Sequence, residues 1–240
     1  MMEGVIRALF GEGGQVQAEG YRIEVLEEGA AAEVAALYAF VRGRAPEGHL
    51  ALRQPEDFGA LFADPDSLVA VGAWWGENLA AYSLCRKSSV IPYDPQPFLT
   101  LIRPAGGDVY LGMGTVVHPQ HEGRLLMARL MAMRGEALKA RGARHVLGLA
   151  AIGNLPSIAS ILRAQAVLVG LSRDETAMNY IGYGGVLQAA VDHGAMPTAI
   201  SLGDLAAQRG MFSQGQVIVA VNRTASGERY FDFLPLLAEK

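Results

Sequence analysis

Cysteine is almost missing: Cys85 stands alone in 240 residues. One thiol excludes an intrachain disulfide and a thiol-rich metal site, and gives no sign of an oxidising compartment. Long apolar runs are missing too, since no stretch reaches the roughly 18 consecutive apolar residues that a membrane helix needs. Basic charge is not in excess, with 20 Lys and Arg against 24 Asp and Glu and a net charge of -4. That balance argues against nucleic acid or an anionic membrane as the partner. The opening MMEGVIRALFGEGG carries an acid at Glu3 and too short an apolar run for a signal peptide, so cytoplasmic residence is expected. No repeat, low-complexity tract, Gly-x-Ser-x-Gly elbow, Walker loop or Cys/His catalytic pattern is present.

The composition that remains is globular, with 51% hydrophobic, 8% aromatic and 18% charged residues. A chain of this length buries a sizeable core. Charge is unevenly spread. Between Val116 and His145, Arg124, Arg129, Arg134, Lys139, Arg141 and Arg144 face only Glu122 and Glu136. Steps of five rotate these charges around a helix, so only Arg124 and Arg129 are expected to address one ligand.

In chain order, residues 1–20 are broken by Gly11, Gly13, Gly14 and Gly20 and read as a flexible arm. A strand at 21–26 precedes a helix over 30–44, whose Val34, Leu37, Tyr38 and Val41 recur at helical spacing. A second helix opens at Pro55 and runs to Phe62. Two β-rich runs, 67–74 and 79–86, flank Trp75-Gly76-Glu77-Asn78 and predict a hairpin. Residues 88–107 carry Pro92, Pro95, Pro97 and Pro104, too long a segment for a turn; a substrate-side flap and a packed insertion are equal readings. Strands at 167–172 and 177–183 follow the centre of the chain. A tail over 184–240 holds a helix opening at Ser201-Leu202-Gly203-Asp204 and ending at Gly210, then a hairpin that extends the sheet or pairs across a dimer.

The organising stretch is 109–160. An apolar strand ends at Val117, a His118-Pro119 turn and a loop containing Gly123 lead into a long helix, and a second strand and a helix opened by Asn154 follow. A crossover of that length joins parallel neighbours. The first turn of its helix presents N–H groups without intrahelical acceptors and roughly half a positive charge, which suits a phosphate or pyrophosphate. His118, His121 and Glu122 lack the spacing of a zinc site and read as parts of the turn, and no metal is expected. Gly112-Met113-Gly114 lies within a strand and signals a bulge or a close backbone approach.

The run HPQHEGRLLMARLM, with an Asn-led helix about thirty residues later, resembles the GNAT superfamily of acyl-CoA N-acyltransferases. The resemblance spans roughly 21–183, the expected core domain, leaving 1–20 as the arm and 184–240 as an extension on the same domain or at a dimer interface. It implies a mixed α/β (α+β) fold with a largely antiparallel central sheet flanked by helices, and a C-terminal helix and hairpin added. It implies an acetyltransferase that uses acetyl-CoA or another acyl-CoA as cosubstrate and acylates a small-molecule amine by direct attack, with a homodimer as an option. Thr115, Val117, Glu122, Gly123, Arg124, Leu125 and Asn154 are the implied coenzyme-binding positions, with the Val117 N–H polarising the thioester. The family's loop reads Arg/Gln-x-x-Gly-x-Gly/Ala, and here Glu122, Leu125 and Met127 depart from it. Its Tyr acid maps to Ile161, so Tyr180, Tyr183 and Ser157 are the substitutes, Tyr180 and Ser157 being the catalytic candidates carried forward. The alternative is a catalytically silent module of the same fold that binds acyl-CoA or serves assembly.

Overall fold

The structure is a computed structural model describing residues 16–18, 20–50, 53–90, 108–172, 176–182 and 191–236. Its strands are β1 (Val16–Ala18), β2 (Tyr21–Val25), β3 (Leu68–Trp75), β4 (Asn78–Lys87), β5 (Asp108–Val117), β6 (Ala143–Ala151), β7 (Val167–Leu171), β8 (Ala177–Gly182), β9 (Thr198–Ser201), β10 (Gln216–Arg223) and β11 (Arg229–Pro235). Its helices are α1 (Ala31–Arg42), α2 (Pro55–Phe62), α3 (Leu126–Ala140), α4 (Leu155–Arg163) and α5 (Leu205–Ser213).

All eleven strands form one sheet, in the order β1-β2-β3-β4-β5-β6-β8-β7-β10-β11-β9. Among the described residues only β5 and β6 pair in parallel, and α3 is their crossover. The mixed, largely antiparallel sheet with flanking helices is therefore as expected. Strand β3 is buried at six consecutive positions and β4 at seven, because helices cover both faces of the sheet there. On one face α1 and α2 pack Val34, Leu37, Tyr38, Phe58 and Leu61 against Tyr82, Leu84 and Val116. On the other, α3 sets Leu126, Leu130 and Met133 over Ile23, Val71 and Ala81. Each large apolar side chain fully removed from water contributes roughly 1.5–3 kcal/mol, so this central stretch anchors the two helical layers.

Three expectations need correction. Residues 16–18 are not a loose arm but pair with β2 from Val16↔Ile23 to Ala18↔Tyr21. The glycine that suggested looseness, Gly20, makes the turn between those strands at φ +86°. The tail helix does not begin at Ser201 or end at Gly210. Asp204 accepts the Ala207 N–H at 2.9 Å and caps a helix running to Ser213, with Gly210 inside it, while Ser201 ends β9, which pairs with β11 and was missed. A four-residue edge strand has too few positions to show a period.

The tail hairpin extends the sheet. Ile218 of β10 is opposite Leu168 of β7, and Phe231, Phe233 and Met211 join Ile158, Ile161 and Met178 in one apolar cluster. Of the segment 88–107, Ser88–Val90 form a single 3-10 turn, while 91–107, Tyr183 and residues 1–15 lie outside the described residues.

Candidate functional site

Strands β5 and β6 pair from Asp108↔Ala143 to Leu111↔Leu147 and no further. Beyond Leu111, β5 continues to Val117 paired, among the described residues, only with β4, with a bulge at Met113 where the register shifts between Gly112 and Gly114. The Gly112-Met113-Gly114 run thus supplies both expected features, the bulge and a close approach. Gly114 sits at φ +127°. The His118 N–H donates to the Ala80 carbonyl at 2.8 Å. Antiparallel alternation then turns the N–H groups of Val117 and Thr115 to the opposite edge, into the opening left by β6. Both predicted positions therefore border the splay.

The loop at its mouth presents a run of backbone N–H groups. Gly123 has φ +75° and Leu125 φ +58° before α3 begins at Leu126. The N–H groups of Gly123, Arg124 and Leu125 have no backbone acceptor among the described residues, and the first helical N–H groups add theirs. Leu125 fills the slot where the related motif has glycine, and its left-handed backbone shows why glycine suits that slot. The turn survives the substitution, with Leu125 54% exposed.

Arg124 lies against two aromatic rings. Its guanidinium carbon lies 5.8 Å from the centre of the Trp75 ring and 6.0 Å from that of Tyr21, a cation-π arrangement. These rings continue into a row that sequence reasoning missed. Tyr21 Oη lies 2.6 Å from His121 Nδ1, and Phe40 stacks on His118 at 4.6 Å and 11°. His118 Nδ1 also accepts the Gln120 N–H at 3.2 Å, which fixes the turn. Glu122 is exposed at the end of that turn.

Burial first, then the neighbouring His118 and Arg124, hold the His121 imidazole below its ordinary pKa. The unfolded chain therefore takes up the proton more readily, so this group's stabilisation is present above the ordinary histidine pKa and is lost as pH falls through the depressed one. Acid titration of the melting temperature from pH 7 to 5 is expected to show a decline that His121→Gln makes shallower; equal slopes would refute it.

At the far side of the splay, Asn154 caps α4, its Oδ1 accepting the Ser157 N–H at 3.2 Å and its amide NH2 remaining a donor. Ser157 is half-buried on the first helical turn, its N–H engaged by that cap. Ile161, in the slot of the related acid, is 1% exposed and packed in the α4 cluster, so no hydroxyl is supplied from there.

Tyr180 lies beneath the splay and is 7% exposed. A Cβ on Gly112 would come within 2.8 Å of its hydroxyl, and one on Gly148 within 2.4 Å. These two glycines make room for the ring. Burial pushes the phenol upward in pKa, and Arg134 opposes that shift. Arg134 itself is 2% exposed on α3. It donates to Ser83 Oγ at 2.8 Å, which is 2.7 Å from Thr115 Oγ1, and its Nε has no partner among the described residues. A permanent cation on neutral hydroxyls is costly to bury. Sequence reasoning put Arg124 and Arg129 at the site and overlooked Arg134. The available signal was its i+4 spacing from Leu130 and to Leu138, both fully buried, which places it on the inner face of the helix.

On the opposite face of β5, Arg53, Asp57, Leu61, Arg86 and Met113 line a cleft of about 250 Å³. The splay thus has the 123–125 loop and α3 on one side and a small polar cleft on the other.

Compared by sequence, the chain matches no family model and no curated protein. Compared by structure, it is similar to a ribosomal-protein-S5-alanine acetyltransferase from Vibrio fischeri, with a TM-score of 0.54, 10% identity, and coverage of 71% of this chain and 96% of that one. It is likewise similar to a ribosomal-protein-alanine N-acetyltransferase from Brucella melitensis, with a TM-score of 0.50, 14% identity, and coverage of 67% and 98%. What the chain shares with these acetyltransferases is the fold.

Proposed function

We propose that this chain, with the fold of the GNAT acetyltransferases, is an N-acyltransferase that moves an acetyl or short acyl group from acyl-CoA to the amine of a small molecule. One observation carries the reading: a parallel strand pair that parts at Leu111 opens beside a helix start whose loop keeps two left-handed residues, Gly123 and Leu125. The unpaired amides there suit a pyrophosphate, and a slot between two strands suits an extended acyl-bearing arm.

In the reaction, the neutral amine attacks the thioester carbonyl carbon and the C–S bond breaks. The amine gives up a proton, and the departing thiolate takes one. The Val117 and Thr115 N–H groups stabilise the oxyanion, an effect that reaches about 10²–10³ in rate when one such donor is lost. Tyr180 is the acid candidate because Arg134 faces it and compensates the charge it acquires. Ser157 is the second, at the opposite wall. Asn154, whose amide donors have no acceptor among the described residues, lines the coenzyme side.

The binding test is calorimetry with acetyl-CoA on the native protein, Arg124→Ala and Asn154→Ala. Micromolar binding, weakened about tenfold by loss of one charge-assisted or amide hydrogen bond, is expected, together with coenzyme A release on adding an amine from a broad panel. Folded protein that binds no acetyl-CoA at millimolar concentration would defeat the reading. A second reading, a silent acyl-CoA-binding module, draws on the buried Ile161 in the acid slot and the side chains of Glu122 and Leu125 at the loop. It expects saturable binding and no acylated product. A soluble homodimer acting in the cytoplasm is part of the first proposal; among the described residues no helix is long and apolar enough to cross a membrane.

A further inference from the structure

The cleft opposite α3 holds two arginines in different electrostatic states. Arg86 is spoken for: its Nη2 lies 3.1 Å from Asp64 Oδ2 and its Nε donates to Ser67 Oγ at 3.1 Å. Ser67 first and Arg86 second hold the Asp64 carboxyl below its usual range. Arg53 has no carboxylate within ion-pair distance among the described residues. Its Nη2 donates to the Met113 carbonyl at 3.0 Å and touches the Met113 sulfur at 3.9 Å, while Nε and Nη1 have no acceptor among the described residues. Its position is fixed by its own backbone, since the Arg53 N–H donates to Tyr38 Oη at 3.0 Å and Arg42 donates to the Arg53 carbonyl at 3.1 Å. The other charge lining the cleft is Asp57, exposed, whose Oδ2 accepts the Gln54 N–H at 2.6 Å.

We propose that Arg53 is the acceptor-specificity residue of this protein, and that the acceptor amine is zwitterionic, carrying a carboxylate that Arg53 receives. This rests on the acyltransfer reading. Three physical points lead to it. A half-buried guanidinium with N–H donors that have no acceptor among the described residues is well suited to a carboxylate. The cleft, at about 250 Å³, is small and partly open, with room for a small polar molecule. The third point is distance. Arg53 is anchored at Met113, the bulged residue where β5 leaves β6. Thr115 is two residues on, about 6.6 Å along an extended strand, and Val117 about 13 Å. A small molecule whose carboxylate is held about 2.8 Å from Arg53 can extend along β5 toward those amides. Asp57, of opposite sign, lines the same cleft and discourages a purely anionic molecule.

The test uses matched pairs, ornithine with putrescine and tyrosine with tyramine, as acceptors with acetyl-CoA, followed by thiol release. The same compounds are examined for binding to the coenzyme A-loaded protein by saturation-transfer NMR. The carboxylate-bearing member is expected to have kcat/KM at least tenfold higher, because a site built to bond a polar group rejects the analogue that lacks it. Arg53→Gln should raise the acid's KM by about ten- to a hundredfold, leave the decarboxylated partner's KM and the affinity for acetyl-CoA unchanged, and abolish the NMR preference. Arg53→Lys, which keeps the charge and tolerates the fold, should restore part of the preference. Equal use of both members of each pair, or equal loss of both in Arg53→Gln, overturns the proposal while leaving acyl transfer standing. An Arg53-dependent preference for the acid in the NMR experiment with no turnover supports the carboxylate site and defeats the acyltransfer reading. No preference by NMR overturns the site outright.

Discussion

Gly148→Ala is expected to destabilise the protein by about 3 kcal/mol, the upper end of what overpacking costs, or about 6–12 °C in melting temperature for a chain of this size. The new methyl would stand 2.4 Å from both Cζ and Oη of Tyr180 and 2.6 Å from Cε1. Tyr180 has little room to yield, because its ring is packed with Met131, Ile158 and Met178 and its hydroxyl faces Arg134. The neighbouring Gly112→Ala meets chiefly the Tyr180 hydroxyl, at 2.8 Å. The two glycines should therefore respond differently to one second change. Tyr180→Phe removes the oxygen and is expected to rescue most of Gly112→Ala but little of Gly148→Ala, which needs the ring itself removed, as in Tyr180→Leu. Denaturant unfolding of the single and double variants measures the coupling. A Gly148→Ala protein within about 0.5 kcal/mol of the parent would show that Tyr180 does not occupy the floor of the splay.

The second large effect is expected at Leu125, and it runs toward stability. A left-handed backbone costs a residue with a Cβ roughly 1–2 kcal/mol, and Leu125 holds φ +58° with its side chain mostly in solvent. Leu125→Gly should therefore raise the melting temperature by a few degrees, offset in part by the greater freedom of glycine in the unfolded chain. It should also tighten acetyl-CoA binding, about tenfold if one further amide reaches the pyrophosphate, because no side chain then stands over the loop. Leu125→Ile, with a β-branch in the same backbone, should do the reverse on both counts. Unchanged affinity in Leu125→Gly, measured beside the parent by calorimetry, would mean the side chain does not obstruct the ligand.

These two positions show what was readable in advance and what was not. Helix α1, the β3–β4 hairpin and the strand-loop-helix around His118-Pro119 have strong local signals: a helical apolar period, a Gly-containing two-residue turn and an apolar run broken at proline. The same locality explains the misses. Strand β1 and strand β9 are too short to show alternation, and their pairing partners make them strands. The tail helix began at Asp204 rather than Ser201 because the cap is decided by which oxygen reaches an N–H three residues on, and Ser201 was already claimed by β9. Arg134 was taken for part of a solvated charge pattern, although two buried leucines one turn away on either side marked its face.

By itself, the sequence determined the order and type of the main elements and the bulge at Gly112-Met113-Gly114, because periodicity, proline and glycine act over a few residues. It also determined that Glu122, Leu125 and Ile161 depart from the related pattern. Only the tertiary structure decided what those departures mean: that Leu125 keeps the left-handed turn, that Ile161 is core, and that Arg124 lies over Trp75. The same holds for Arg134 beneath the splay and for Arg53 at the bulge across the sheet. Arg53 and Met113 are sixty residues apart. No local pattern encodes such a meeting; it exists because α1, α2 and β5 share one buried face, and packing decides which charges that face leaves unpaired.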